Sequence, residues 1–271
     1  MKRIAIQIAC AVFFFFLSFK LTIRTPAPSD KRVKTMNGGI DYAAKYAGIK
    51  TRREYFAAVF SDPRLQIDSG IVKMAKSRNK GKGINYQFLY TESSIQAGKR
   101  FIEDRGEVLE KVRQKYGVSP NFIAAILRLE TNFGSFIGNH LAVNALYTVG
   151  LAYPKKSRDA RRQLNSFIDL SRKYGWDPFS IKSSWAGAFG IPQFMPGSFA
   201  YAVDGNGDGV IDLFNMDDAV MSAGNFLKIH GWRNNDPLAE KNALRSYNRG
   251  SYADAIIKYA AMLKKNNKQT R

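Results

Sequence analysis

Glu130 is the residue whose placement most needs a chemical reason. In the run AAILRLETNFGS, Ala124 to Ser135, the positions Ile123, Ile126, Leu127 and Glu130 follow at i, i+3, i+4 and i+7. A helix through them carries the carboxylate on its apolar face. No cation stands one turn away in either direction, so a local ion pair does not account for it. Two readings remain. One is a rim carboxylate that reaches water; the other is a buried carboxyl whose pKa is raised by desolvation, able to donate a proton near neutral pH.

Two further stretches carry chemistry. In DGNGDGVID, Asp204, Asn206 and Asp208 take positions 1, 3 and 5 of a calcium loop, Gly209 makes the turn at 6, Val210 offers its carbonyl at 7, and Asp212 falls at 9. Position 12 is Asn215 rather than the bidentate Glu, so Asp217 or Asp218 has to close the sphere. The alternative is a metal-free Gly/Asp/Asn turn. In SSWAGAFGIPQFMPGSF, Ser183 to Phe199, the small residues Ala186, Gly187, Ala188 and Gly190 permit close backbone approach. Trp185, Phe189 and Phe194 offer flat apolar faces there, and Gln193 an amide that both donates and accepts. That mixture suits sugars, whose C–H faces meet aromatic rings while polar groups fix the hydroxyls. Read as structure alone, the same residues make a tight turn packed into the core.

Positioning these residues falls to helices. Ser119 and Pro120 predict a side-chain cap and first turn for the Glu130 helix, and Gly134 predicts its stop. Phe101, Arg105, Val108 and Val112 predict one helix ending at Gly117, another starts from about Asn139, and Ala160, Leu164, Phe167 and Tyr174 mark one that stops at Gly175. Ile40 to Gly83 reads as two or three short helices ending in the loop SRNKGKG. Sustained β alternation and internal repeats are lacking, and the fold class is mainly α.

The 271 residues suffice for one sizeable domain with an accessory region, and 45% hydrophobic content describes a folded chain. Net charge is +20, and the first 24 residues hold four cations and no acids, so +16 belongs to the remainder. No zinc-finger, RNP or GxxG pattern points that charge at nucleic acid; an anionic polymer or membrane surface fits it. Lys2 and Arg3 precede the apolar run Ile4 to Phe19, followed by Lys20 and Arg24. Residues 1–24 therefore read as a signal peptide or an uncleaved membrane anchor that exports the rest. The stretch TPAPSDKRVKTMNGG is a linker, 25–85 a linker and small helical region, and 86–271 the main domain. Cys10 is the single cysteine, so stability rests on the core, and His140 and His230 stand in no ligand pattern.

Taken in order, RLETNFG, AYPKK, SSWAGAFGIPQFMPGSF, DGNGDGVIDLFNMDDA and SYNRGSYADAI resemble the lytic murein transglycosylase B family over roughly Tyr86 to Met262. The resemblance implies a lysozyme-like, goose-type/transglycosylase catalytic domain with an EF-hand-like calcium loop. It implies an exported enzyme of the periplasm or cell envelope that cleaves the MurNAc to GlcNAc β-1,4 bond of peptidoglycan and leaves a 1,6-anhydro-MurNAc end. By position, Glu130 matches the single catalytic acid/base, Ser184 and Gln193 match residues lining the sugar cleft, and Tyr247 and Asn248 match a Tyr-Asn pair beside the glutamate. Asp204, Asn206, Asp208 and Asp218 match side-chain ligands of a structural Ca2+, with Val210 adding its carbonyl. Lys155 and Lys156 stand where the family has arginines, keeping charge without the planar fork that grips carboxylates. Pro192 replaces a residue that is often Gly. Phe194 joins the expected sugar-binding set, with Tyr247, as a wall against solvent. Glycan strands are the expected partner of a monomer held to the membrane by its N-terminal segment, and nucleic acid is not. With no second carboxylate beside Glu130 in sequence, the MurNAc acetamido group is expected to support C1. The rivals are a muramidase that hydrolyses the same bond and a noncatalytic glycan-binding envelope protein.

Overall fold

Helices dominate the computed structural model, which describes residues 46, 48–77 and 85–264. The expected leader and linker, and all but the first residue of the SRNKGKG loop, lie outside the described residues. In chain order the helices are α1 (Arg52–Phe60), α2 (Ser69–Ser77), α3 (Glu92–Asp104), α4 (Gly106–Tyr116), α5 (Pro120–Thr131), α6 (Ala142–Ala152), α7 (Ser157–Tyr174), α8 (Met216–Ile229), α9 (Pro237–Tyr247) and α10 (Tyr252–Lys264). Among the described residues one two-stranded sheet occurs: β1 (His140–Leu141) runs antiparallel to β2 (Lys182–Ser183), with His140 opposite Ser183.

The Glu130 helix, α5, is the centre of the packing. Ile123, Ala124, Ala125, Ile126 and Leu127 have no exposed surface, so this helix is covered on nearly every side. It packs against α3, α4, α8 and α10. Helix α7 is its opposite in character: Ala160, Leu164, Phe167 and Ile168 form one buried stripe, the rest is largely charged, and it lies along α6. Gly175 ends it in the left-handed conformation. The N-terminal helix α1 is part of the same body. Tyr55, Phe56 and Val59 enter the main core, and Arg52 grips Asp169 of α7 through two bonds of 2.7 and 2.9 Å. Residues on both sides of position 85 thus share one core.

Several expected boundaries move. The helix expected through Phe101, Arg105, Val108 and Val112 is two, α3 and α4, because Arg105 leaves helical geometry (φ −116°, ψ 22°) and the weak helix former Gly106 follows. The bend lets both Phe101 and Val108 reach the core. Ser119 precedes α5 but makes no side-chain cap bond; Pro120 starts the helix. Asn132, not Gly134, ends it, in the left-handed region (φ 49°) that asparagine tolerates. The helix expected from about Asn139 begins at Ala142, since His140 and Leu141 pair with β2 first.

Candidate active site

Glu130 lies near the C-terminus of α5, where the start of α10 crosses it. Tyr252, the first residue of α10 and 1% exposed, donates its hydroxyl to Glu130 Oε1 at 2.7 Å. Tyr247, the last residue of α9, stacks parallel to Tyr252 with centroids 6.0 Å apart and donates to the Pro192 carbonyl at 2.8 Å. Thr131 donates to the Ile191 carbonyl at 2.8 Å. The 184–194 loop is thereby held from both sides, by the residue after Glu130 and by the ring behind Tyr252. Burial pushes the Glu130 carboxyl up to about 7, and the hydrogen bond from Tyr252 opposes the rise; no second carboxylate contributes. Burial, and after it the Glu130 charge, raise the hydroxyls of Tyr86, Tyr247 and Tyr252, which therefore stay protonated donors. A carboxyl in this setting keeps a substantial protonated fraction near neutral pH, and a donor such as Tyr252 stabilises the anion left when the proton departs.

The loop itself is built for close approach. Ser184 accepts from Ala188 N at 3.1 Å through Oγ, and its own N–H donates to Ala188 O at 2.8 Å. Gly187 adopts φ 87°, and a Cβ there would collide with Leu146. Gln193 holds the left-handed region (φ 51°), a costly conformation for a side-chain-bearing residue, and donates through Nε2 to Ile137 O (3.2 Å) and Gly190 O (3.0 Å). The flat faces expected of Phe189 and Phe194 are turned inward. Phe189 is 1% and Phe194 2% exposed, the latter packed on Phe226 and Tyr247 behind the site, because the bridges Ser183 to Phe189 to Phe194 fold both rings into the core. Trp185 is half-buried beside Tyr153, under the ammonium of Lys156 at 4.8 Å. Lys155 and Lys156 stand exposed in a 3-10 turn, and Asn248 is exposed at the end of α9, accepting from Arg249 N at 2.8 Å.

The family model for the transglycosylase SLT domain matches residues 37–268. This chain belongs to the transglycosylase SLT domain family. It is 37% identical over 150 residues to the membrane-bound lytic murein transglycosylase B of Escherichia coli (strain K12), a match that covers 55% of this chain and 42% of that protein. The chain thus spans less than half the length of that relative. The fold of the SLT domain is that of solved lytic transglycosylases. Slt35 of Escherichia coli, solved in complex with calcium, superposes with a TM-score of 0.67 at 23% identity, covering 82% of this chain and 91% of that one. SltB3 of Pseudomonas aeruginosa, solved in complex with NAG-anhNAM-pentapeptide, gives 0.69 at 22% identity over 83% and 76%.

In this SLT domain Asp218, and not Asp217, turns into the acidic loop before α8. Its carboxylate has no exposed surface and accepts from Gly205 N (2.8 Å) and Asp212 N (2.7 Å), whereas Asp217 faces Arg105 at 3.9 Å. Asn215, at the position where a glutamate was wanted, caps α8 by accepting from Asp217 N and Asp218 N. Asp204 accepts from Gly207 N and Gly209 N, and Asp208 from Val210 N. Among the described residues no three His, Cys, Asp or Glu side chains are gathered closely enough to hold a metal ion. The donors are nonetheless all hard oxygens on one tight loop, the chemistry that suits calcium.

Sequence reasoning passed over Tyr252 and Tyr86. Tyr252 lies in SYNRGSYADAI, five positions after Tyr247, but only the break between α9 and α10 sets the two rings parallel and aims one hydroxyl at Glu130. Tyr86 carried no periodic or motif signal.

Proposed function

We propose that this SLT domain is a peptidoglycan lytic transglycosylase in which Glu130 acts first as acid and then as base. The single observation that carries this is the lone Glu130 carboxyl with Tyr252 bonded to its Oε1 at 2.7 Å. Membership of the SLT family and the murein transglycosylase relative support the substrate class. Glu130 gives its proton to the bridging oxygen as the MurNAc to GlcNAc bond breaks, while the MurNAc acetamido oxygen bonds to C1. The resulting carboxylate, steadied by Tyr252, then takes the proton of the C6 hydroxyl. That oxygen bonds to C1, the acetamido group is released, and 1,6-anhydro-MurNAc forms without water. A hydroxyl tethered to the same ring outcompetes bulk water when the ring is held in a reactive conformer.

Ser184, Gln193 and Asn248 are assigned to hold the N-acetyl group and the ring. Gln193 spends its amide nitrogen on the loop, leaving Oε1 to accept. Tyr247 walls the site, with Phe194 behind it as support. Lys155 and Lys156 face the carboxylates of the stem peptide as point charges. Asp204, Asn206, Asp208, Asp218 and the Val210 carbonyl are assigned to a structural Ca2+, supported by the loop spacing and by the calcium complex of Slt35. Residues 1–24 are assigned to export or anchoring, and the domain beyond them to the periplasm; a reporter enzyme that works only after export, fused after Arg271, remains inactive if this is wrong.

The deciding experiment is mass spectrometry of muropeptides released from purified sacculi. Products lighter by one water than reducing-end MurNAc, and inert to borohydride, are expected. Chiefly reducible MurNAc ends would replace the reading with a muramidase.

A further inference from the structure

Phe136 is 61% exposed, the most exposed aromatic side chain among the described residues. A displayed phenylalanine is costly, since burying such a ring is worth about 1.5–3 kcal/mol, and exposure on a loose loop would carry little meaning. This loop is not loose. Phe136 N donates back to Thr131 O at 2.9 Å, the residue next to Glu130. Ser135 N donates to Asn132 O, and Phe133 is drawn into the core, stacked on Phe101 at 4.4 Å. On the other flank, the Ile137 carbonyl accepts from Gln193 Nε2 at 3.2 Å. Gly138 (φ 100°) is pressed so tightly on the Ser183 backbone that a Cβ would collide with the Ser183 carbonyl. The two aromatics of this loop therefore have different fates: Phe133 is partly buried against the core as an anchor, and Phe136 is held out in water between the end of the Glu130 helix and the Gln193 loop.

We propose that Phe136 is a sugar platform, a substrate-positioning residue whose ring takes the apolar C–H face of a pyranose in the glycan strand beside the reacting bond. This rests on the glycan reading above. It extends the site with the exposed aromatic surface that the buried rings of Phe189 and Phe194 do not supply. A platform of this kind acts on binding and register, so it changes KM more than kcat, and any flat ring should serve.

The test uses the full chain with Glu130→Gln, which binds without turnover, titrated with chitin oligosaccharides by calorimetry. Adding Phe136→Ala should weaken binding about threefold to tenfold, the worth of one aromatic contact, while Phe136→Trp restores it and the melting temperature is unchanged in both. With the active Glu130 chain on sacculi, Phe136→Ala should raise KM and leave kcat nearly constant. Equal affinity for the Ala and Phe chains would overturn this inference alone. Failure of the chain that keeps Phe136 to bind glycan would overturn it together with the transglycosylase reading.

Discussion

Glu130 and Tyr252 form a matched acid and donor, and their coupling makes the pH behaviour calculable in sign. The carboxyl titrates near 7 in the folded chain because of burial, against an ordinary glutamate value of about 4.3 when unfolded. The folded state therefore holds the proton more tightly. Stability from this group is fully present below about pH 4 and is lost as pH rises through about 7, at a cost on the order of 3–4 kcal/mol. Glu130→Gln should abolish turnover, melt higher than the parent at pH 8, and lose that advantage by pH 4; a parent that melts as high as the variant at pH 8 would contradict the raised acid. Tyr252 opposes the rise in pKa. Tyr252→Phe should thus shift the alkaline limb of kcat/KM to higher pH and lower kcat about tenfold, since the carboxylate left after proton transfer loses its donor. A pH–rate profile that keeps its limb would show that the bond has no part in the chemistry.

Among the elements, the loop between Asp204 and α8 works as a clasp around Asp218. Three of its backbone N–H groups, those of Gly205, Asn206 and Asp212, close on that buried carboxylate, and Asn215 caps the helix that carries it. Calcium bound only by the native state should raise the melting temperature, and chelator should lower it. Asp208→Ala should remove that response while costing little without metal, because Asp208 is exposed. Asp218→Ala should cost about 2 kcal/mol or more even in chelator, by leaving buried donors unpaired. Identical melting curves with and without calcium would remove the metal assignment and leave the clasp. Asp217→Ala separates the two acids: paired with Arg105 outside the clasp, it should leave the calcium response in place.

Across the whole molecule, the N-terminal segment is structural. Tyr46, Tyr55, Phe56 and Val59 belong to the main core, Arg52 pairs with Asp169, and Asp68 meets His140 Nδ1 at 2.6 Å on the strand that precedes α6. A chain beginning at residue 86 should lose several kcal/mol of burial and unfold at lower denaturant, whereas one beginning at residue 40 should match the parent. Equal stability of the two would mean that α1 and α2 dock without contributing.

Much of this was legible in the residue order. Local rules act over a few positions, so the glycine stops at Gly117 and Gly175, the buried stripe of α7, the apolar face carrying Glu130 and the alternate oxygens from Asp204 to Asp208 could be read from spacing. The break at Arg105 could not, because it answers to the packing of Phe101 and Val108 against distant helices. Nor could the fates of Phe194 and Phe136: both are aromatic residues in loops, and only the folded chain buries one and displays the other. The partner of Glu130 lies 122 residues away in sequence, and no periodicity reaches that far. The sequence by itself determined that a carboxylate falls on an apolar helical face and that hard oxygens alternate along one loop. Tertiary structure decided which side chains meet, because desolvation and a 2.7 Å hydrogen bond depend on neighbours the chain supplies only after it folds.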